Sequence, residues 1–185
     1  AFFKWYGGFY RNALKTFDYF FVQNESSKTL LQSIGFNNVK VSGDTRFDRV
    51  VSILERDNSL DFIEQFKDNK TTIVIGSSWP KDESLLVNYI NQSSDDVKFI
   101  IAPHNIKQEQ ISNLKNQIQK KTILYSEKDE MLKQVQHDKI EAFQVFIIDT
   151  IGILTKIYSY ADIAYVGGGF GNPGVHNILE PATFG

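Results

Sequence analysis

The sequence predicts an α/β fold: a parallel sheet with helices on both faces, preceded by the tail of a second unit of the same kind. Three observations carry this. Short apolar runs alternate with amphipathic segments along the whole chain. Polar or glycine-rich turns directly follow several of those runs. The composition, 42% apolar against 23% charged, is sufficient to bury a core. Strands joined by helices pair in parallel, and such sheets take ligands beyond the carboxyl ends of their strands.

The elements follow in order. Residues 17–25 (FDYFFVQNE) read as a strand, because aromatics and Val favour a pleated, half-buried surface. Residues 26–36 read as a short helix, with Ser26 or Ser27 capping its start and Gly35 its end. A second strand falls at 37–43. Residues 44–57 are helical, with Phe47, Val50, Val51 and Leu54 on one stripe. The polar stretch 55–70 reads as a domain boundary, dividing the chain into 1–55 and 56–185.

A new series then begins. Strands are expected at 71–75, 97–104, 121–127, 143–149 and 162–168. Helices are expected at 80–92, where Pro80 opens the first turn at a position whose missing N–H costs least, and at 107–119, 151–161 and 176–185. Residues 129–142 are polar and irregular, fitting loop or helix.

Composition removes several classes of function. Net charge is −2 over 185 residues with no broad basic stripe, so no nucleic-acid partner is expected. There is no cysteine, hence no disulfide framework and no thiolate metal site. The three histidines, His104, His137 and His176, lack zinc-motif spacing, and no metal is expected. No apolar run reaches the roughly 20 residues that span a bilayer, and the first residues lack the h-region of a signal peptide. Both ends read as cuts through a longer protein.

The chemistry-bearing residues cluster at expected strand ends. In GGGFGNPG, Gly169, Gly171 and Gly174 satisfy G-x-G-x-x-G between a strand and a helix. That fingerprint normally opens the first βαβ unit, whereas here four strands precede it. The other reading is a tight turn in which glycine supplies positive φ. His176, Asn177 and Glu180 follow. If the segment is helical, residues 176 and 180 share a face one turn apart. Glu180 then either caps the helix or accepts hydrogen bonds from sugar hydroxyls, since an ionised carboxylate only accepts. Ser77 and Ser78 lie between a strand and a helix, where they either cap the helix or contact phosphate. Asp44, Arg46, Asp48 and Arg49 form either a solvated ion-pair set or a hinge between domains. The aromatics of residues 2–11, with Lys4 and Arg11, suit either a membrane interface or a packed contact, and packing is the expectation.

Taken together, these stretches resemble the bacterial 3-deoxy-D-manno-octulosonic acid (Kdo) transferase family. GDTRFDR at 43–49 and DIAYVGGGF followed by GVHNILEPATFG at 162–185 carry the resemblance, and FFVQNE precedes GDTRFD in the order expected. The most specific part is the run Gly-x-His-Asn-x-Leu-Glu-Pro-Ala. The likeness extends over the whole chain but thins between 55 and 144.

The resemblance implies a GT-B architecture of two Rossmann-like domains, with CMP-Kdo as the donor substrate and no cofactor. It implies inverting, metal-independent transfer to a lipid A precursor in lipopolysaccharide synthesis, at the membrane surface on the cytoplasmic face of the bacterial inner membrane. Residues 1–55 would be the tail of the acceptor-side domain and 56–185 most of the donor domain. Gly168 and Gly169 would admit the nucleotide to the backbone. His176 and Asn177 would lie beside donor phosphate or sugar, Glu180 would bind the ribose, and Ser77 and Ser78 match a polar loop after the first strand. Many relatives carry Pro-Arg-His after the second strand, where this chain has Pro103, His104 and Asn105, so a phosphate contact falls to His104 or to a residue elsewhere. The family's catalytic base has no counterpart among these residues, so the chain alone is expected to be inactive. Another GT-B transferase using a UDP- or GDP-sugar, or a non-catalytic or NAD-binding Rossmann module, are the alternatives.

Overall fold

The computed structural model describes residues 2–133, 140–170 and 174–185. The chain divides into two compact units, Ala1–Ser52 and Ile53–Gly185.

The first unit holds helix α1 (Gly8–Leu14), strand β1 (Phe20–Val22), helix α2 (Glu25–Gln32), strand β2 (Val39–Val41) and the start of helix α3 (Thr45–Leu54). Strands β1 and β2 pair in parallel, Phe20 opposite Val39, with α2 as the crossover between them. The cap of α2 is not either serine. Asn24 precedes the helix in extended backbone, and its side chain accepts from Ser27 N at 2.9 Å. Gly35 does terminate this helix region, with φ of 93°. Asp44 and Arg46 form a local ion pair in the turn before α3, with Arg46 Nε 2.9 Å from Asp44 Oδ2. The side chain of Arg49 lies outside the described residues. The first aromatics contact one another, Phe2 and Phe9 each meeting Tyr10 and Trp5 meeting Tyr6, while Trp5 is 92% and Phe9 84% exposed.

The second unit contains helix α4 (Asp61–Lys67), strand β3 (Thr71–Ser78), helix α5 (Pro80–Gln92), strand β4 (Val97–Pro103), helix α6 (Gln108–Gln117), strand β5 (Thr122–Leu124), helix α7 (Lys128–Lys133), strand β6 (Val145–Ile147), helix α8 (Leu154–Ile157), strand β7 (Ile163–Val166) and helix α9 (Leu179–Ala182). The five strands form one parallel sheet in the order β5-β6-β4-β3-β7. Alternation along the strands sends Ile73, Ile75, Phe99 and Ile101 to a core under α5 and α6. Val74, Ile100 and Phe146 go to the opposite core with Ile63, Phe66 and Ile157. These two cores make three layers, helix on sheet on helix.

Three expected segments differ. The stretch read as linker contains α4, because Ile63 and Phe66 stand three residues apart, are wholly buried, and leave their charged neighbours to solvent. The helix expected from residue 151 begins only at Leu154, since Gly152 has φ of 98°, which a right-handed helix excludes. The final helix begins at Leu179, three residues later than expected. Asn177 Oδ1 accepts from Leu179 N at 3.1 Å, the local bond by which asparagine turns the chain before a helix.

The order of the strands creates the site. β4 lies on one side of β3, and β7 is added on the other. The strand order therefore reverses between β3 and β7, and in open parallel sheets ligands are taken at the carboxyl ends beside such a reversal.

Candidate functional site

β3 sets the geometry at this end of the sheet. The ladder between β3 and β7 ends at Gly76 opposite Val166, and Gly167 N continues it by donating to Gly76 O at 2.9 Å. The β3–β4 register then shifts between Gly76 and Ser78. Ser77 takes up the extra residue in the left-handed region, at φ of 53°. A non-glycine residue held there is a local strain, and such strain collects at functional sites. Ser78 turns inward, 1% exposed, and its hydroxyl donates to Glu83 Oε1 at 2.9 Å. It therefore does not cap α5. Burial pushes the Glu83 carboxyl up, against the lowering effect of the Ser78 bond.

Asp82, in the first turn of α5, ties the two strand ends together. Its carboxylate, 1% exposed, accepts from Trp79 N at 2.9 Å, Gly168 N at 3.0 Å and the Tyr165 hydroxyl at 2.7 Å. Burial alone would raise its pKa. The bonds from Gly168, Tyr165 and Trp79 outweigh that and hold it below the usual carboxylate value. The Tyr165 phenol is pushed up to about 12, by burial and by donating to the Asp82 carboxylate.

The glycine run is explained by protein meeting protein. A β carbon on Gly167 would overlap the Ser77 carbonyl oxygen, and one on Gly168 the Gly174 carbonyl. Gly168 also has φ of 95°. Its N–H is already donated to Asp82, so this amide is not a free donor for phosphate. Gly169 has more room: a β carbon there would meet Val175 at 3.6 Å, an ordinary contact distance. Gly171, which completes the fingerprint spacing, lies outside the described residues.

Three rings converge over this loop. Trp79 stacks on His104, centroids 4.3 Å apart and planes 17° apart. His104 stacks on His176 at 4.7 Å, and Trp79 Nε1 donates to His176 Nε2 at 2.9 Å. His176 precedes α9 rather than lying on it, so the shared helical face with Glu180 is not formed. Glu180 is nonetheless close by in the chain and held from two sides. Thr155 Oγ1 donates to its Oε2 at 2.9 Å, and Asn177 Nδ2 to its Oε1 at 3.4 Å. Tyr158, under the site, is pushed up to about 12 by burial and then by the charge of Glu180. Among the described residues no three His, Asp or Glu side chains are grouped to hold a metal ion, and His137 lies outside those residues.

The structure thus gathers Ser77, Ser78, His104, Gly168, Gly169, His176, Asn177 and Glu180 around the ends of β3, β4, β6 and β7. Sequence reasoning missed Trp79, Asp82, Thr155 and Tyr165. Asp82 carried a signal, an acidic residue at the third helical position able to reach back to the cap. Thr155 carried none.

An α/β unit with polar side chains at its switch point is the arrangement of nucleotide-binding domains. Comparison with known proteins adds what the chain is similar to. No family model matches the chain. The chain is similar, over nearly its whole length, to 3-deoxy-D-manno-octulosonic acid transferases. It is 29% identical to that of Chlamydophila psittaci, covering 96% of this chain and 40% of the relative. It is 26% identical to that of Rickettsia typhi, covering 95% and 37%. A bifunctional glycosyltransferase/methyltransferase of Fusobacterium nucleatum is 25% identical over 94% of this chain and 27% of its own length. The chain therefore spans about two fifths of the length of the transferases it matches. Among solved structures, the C-terminal CMP-Kdo binding domain of WaaA from Acinetobacter baumannii matches with a TM-score of 0.51 at 21% identity, covering 75% of this chain and 67% of that one. That likeness shows the fold alone, a parallel α/β sheet covered by helices.

Proposed function

We propose that this chain carries the donor site of a Kdo transferase, an enzyme that moves Kdo from CMP-Kdo to a lipid A precursor. The observation that carries the reading is the side-chain cluster at the carboxyl ends of β3 and β7. It holds a fixed carboxylate, Glu180, beside the paired rings of His104 and His176, in a chain similar to these transferases along 96% of its length.

On this reading Glu180 accepts hydrogen bonds from the ribose hydroxyls, as an ionised carboxylate can, and the bonds from Thr155 and Asn177 fix the direction in which it faces. His104 and His176 meet the donor phosphate, with Asn177 beside the sugar. Ser77, on its left-handed bulge, offers the hydroxyl that Ser78 has already committed to Glu83. Gly168 and Gly169 shape the loop over which the nucleotide lies. Transfer is inverting and needs no metal. Residues 56–185 serve the donor, and 1–55 belong to the acceptor-side domain. The acceptor base is assigned to no residue of this chain, and the intact enzyme works at the cytoplasmic face of the inner membrane. Among the described residues no helix is long and apolar enough to cross a membrane.

Calorimetry with CMP tests this, on the chain and on Glu180→Ala, with UMP and NAD as controls. CMP is expected to bind and to weaken about tenfold or more in the variant, as loss of a charged hydrogen-bond acceptor requires. UMP binding as tightly as CMP would favour the second reading, a GT-B transferase with another nucleotide sugar, which the Fusobacterium relative keeps in view. NAD outcompeting both would end the transferase reading.

A further inference from the structure

Trp79 belongs to neither hydrophobic core. It is half-buried just beyond the carboxyl end of β3, and it makes two different contacts there. Its face lies against His104, with centroids 4.3 Å apart. Its edge donates Nε1–H to His176 Nε2 at 2.9 Å, joining residues 97 positions apart. The backbones of both partners are pinned as well. Trp79 N donates to Asp82 at 2.9 Å, and His176 N to Gly167 O at 3.2 Å.

The chemistry of the two rings restricts what this bond means. An indole nitrogen only donates. A neutral imidazole has one protonated and one bare nitrogen, and only the bare one accepts. Nε2 of His176 must therefore be bare when the bond is made, and the ring proton sits on Nδ1. Without such a partner, either nitrogen can carry it. The bond a histidine makes through one nitrogen decides what the other presents.

We propose that Trp79 is a positioning residue: it holds His176 as the Nδ1–H tautomer, so that the ring offers one oriented donor to an anionic oxygen of a bound nucleotide. Among the described residues nothing else bonds to His176 Nδ1. The stack on His104 keeps both imidazoles parallel to the indole and fixes the plane in which that donor lies. The ligand half of this inference rests on the nucleotide reading above; the tautomer half does not.

The experiment separates the two. Long-range proton–nitrogen correlation on the uniformly nitrogen-15-labelled chain, at a pH where imidazole is neutral, reads the His176 tautomer directly. Trp79→Phe keeps an aromatic face for His104 on a smaller ring and removes the N–H donor. Wild type is expected to show Nδ1–H, and the variant to shift toward Nε2–H. CMP affinity is expected to fall about three- to tenfold in the variant, the scale of one neutral hydrogen bond. Unphosphorylated cytidine should lose less. Nε2–H in the wild-type protein overturns the proposal, and because no substitution is involved, an unstable variant would not shelter it. An unchanged tautomer in a folded variant, or equal CMP affinity in both proteins, also overturns it. An Nδ1–H tautomer in a wild-type chain that binds no CMP overturns the nucleotide reading of the site instead.

Discussion

The two ends of the second unit's sheet use polar side chains in opposite ways. At the amino ends they bond mainly to backbone. Lys98, 2% exposed, donates Nζ–H to the carbonyls of Glu141 and Phe143. Gln144 donates to Ser94 O and Val97 O, and Asp162 accepts from Thr72 N. Each of these ties an incoming chain segment to the first residues of a strand. At the carboxyl ends side chains bond mainly to one another: Ser78 to Glu83, Trp79 to His176, Tyr165 to Asp82, Thr155 to Glu180, Ser126 to Asp149. A side chain committed to backbone is spent on the fold. One committed to another side chain is oriented while retaining further lone pairs or protons for a third party. Volume alone would have misled: a recess of about 820 Å³ lies at the amino end, lined by Asn58, Lys67, Glu141 and Tyr160.

The sharpest way to break this contrast is at Lys98. Lys98→Ala removes a buried side chain and leaves two carbonyls short of a donor, so a loss of about 3–5 kcal/mol is expected in urea unfolding. CMP affinity of the folded variant should stay within twofold. Its pH signature is distinctive. Burial, then the charge of Lys70, holds the Lys98 ammonium down at about 8, against 10.5 for the exposed group. The unfolded chain thus binds the extra proton between those values, and stability should rise as pH climbs from about 8 to about 10.5. That rise should be absent in the variant.

At the other end, Asp82→Asn should cost less stability, about 1.5–3 kcal/mol, because an amide oxygen cannot serve three donors as a carboxylate does. Its clearest readout is Tyr165. With the negative charge gone, the phenol should drop from about 12 toward its ordinary value, seen as earlier tyrosinate absorbance. The sign of its contribution is opposite to that of Lys98. A raised phenol pKa adds stability below the ordinary value of 10.0 that is lost as pH rises through about 12. An unmoved titration would mean that Asp82 does not hold this loop.

Thr155→Val is the smallest expected change and the most selective. The shape is kept and one bond to Glu180 is lost, so stability should fall by no more than about 1 kcal/mol. CMP affinity should fall severalfold. Unchanged affinity would leave Thr155 as packing and blur the distinction between the two ends.

How much of this could be read from sequence follows the same division. The alternation of strands and helices was legible, since buried runs such as TTIVIG and VKFIIAP declare themselves locally. Helix α4 was not, because three apolar residues among charges and amides look like a linker until a sheet is there to receive them. Ser77, His104, His176 and Glu180 stood out because strand ends are where such residues gather. The indole bond to His176 and the Tyr165–Asp82 bond were invisible, since each joins residues more than 80 positions apart. The helical face expected to unite His176 with Glu180 gave way to a local asparagine turn.

Gly76 and Tyr158 occupy one space between them. A β carbon on Gly76 would fall on the Tyr158 hydroxyl. Position 76 cannot gain a side chain alone: a methyl there demands a shorter ring substituent at 158, so the change at 158 has to come first or together with it. Contacting residues couple in this way. The pair is therefore a ratchet on the history of this sheet, two positions whose substitutions should be inherited together across divergent descendants.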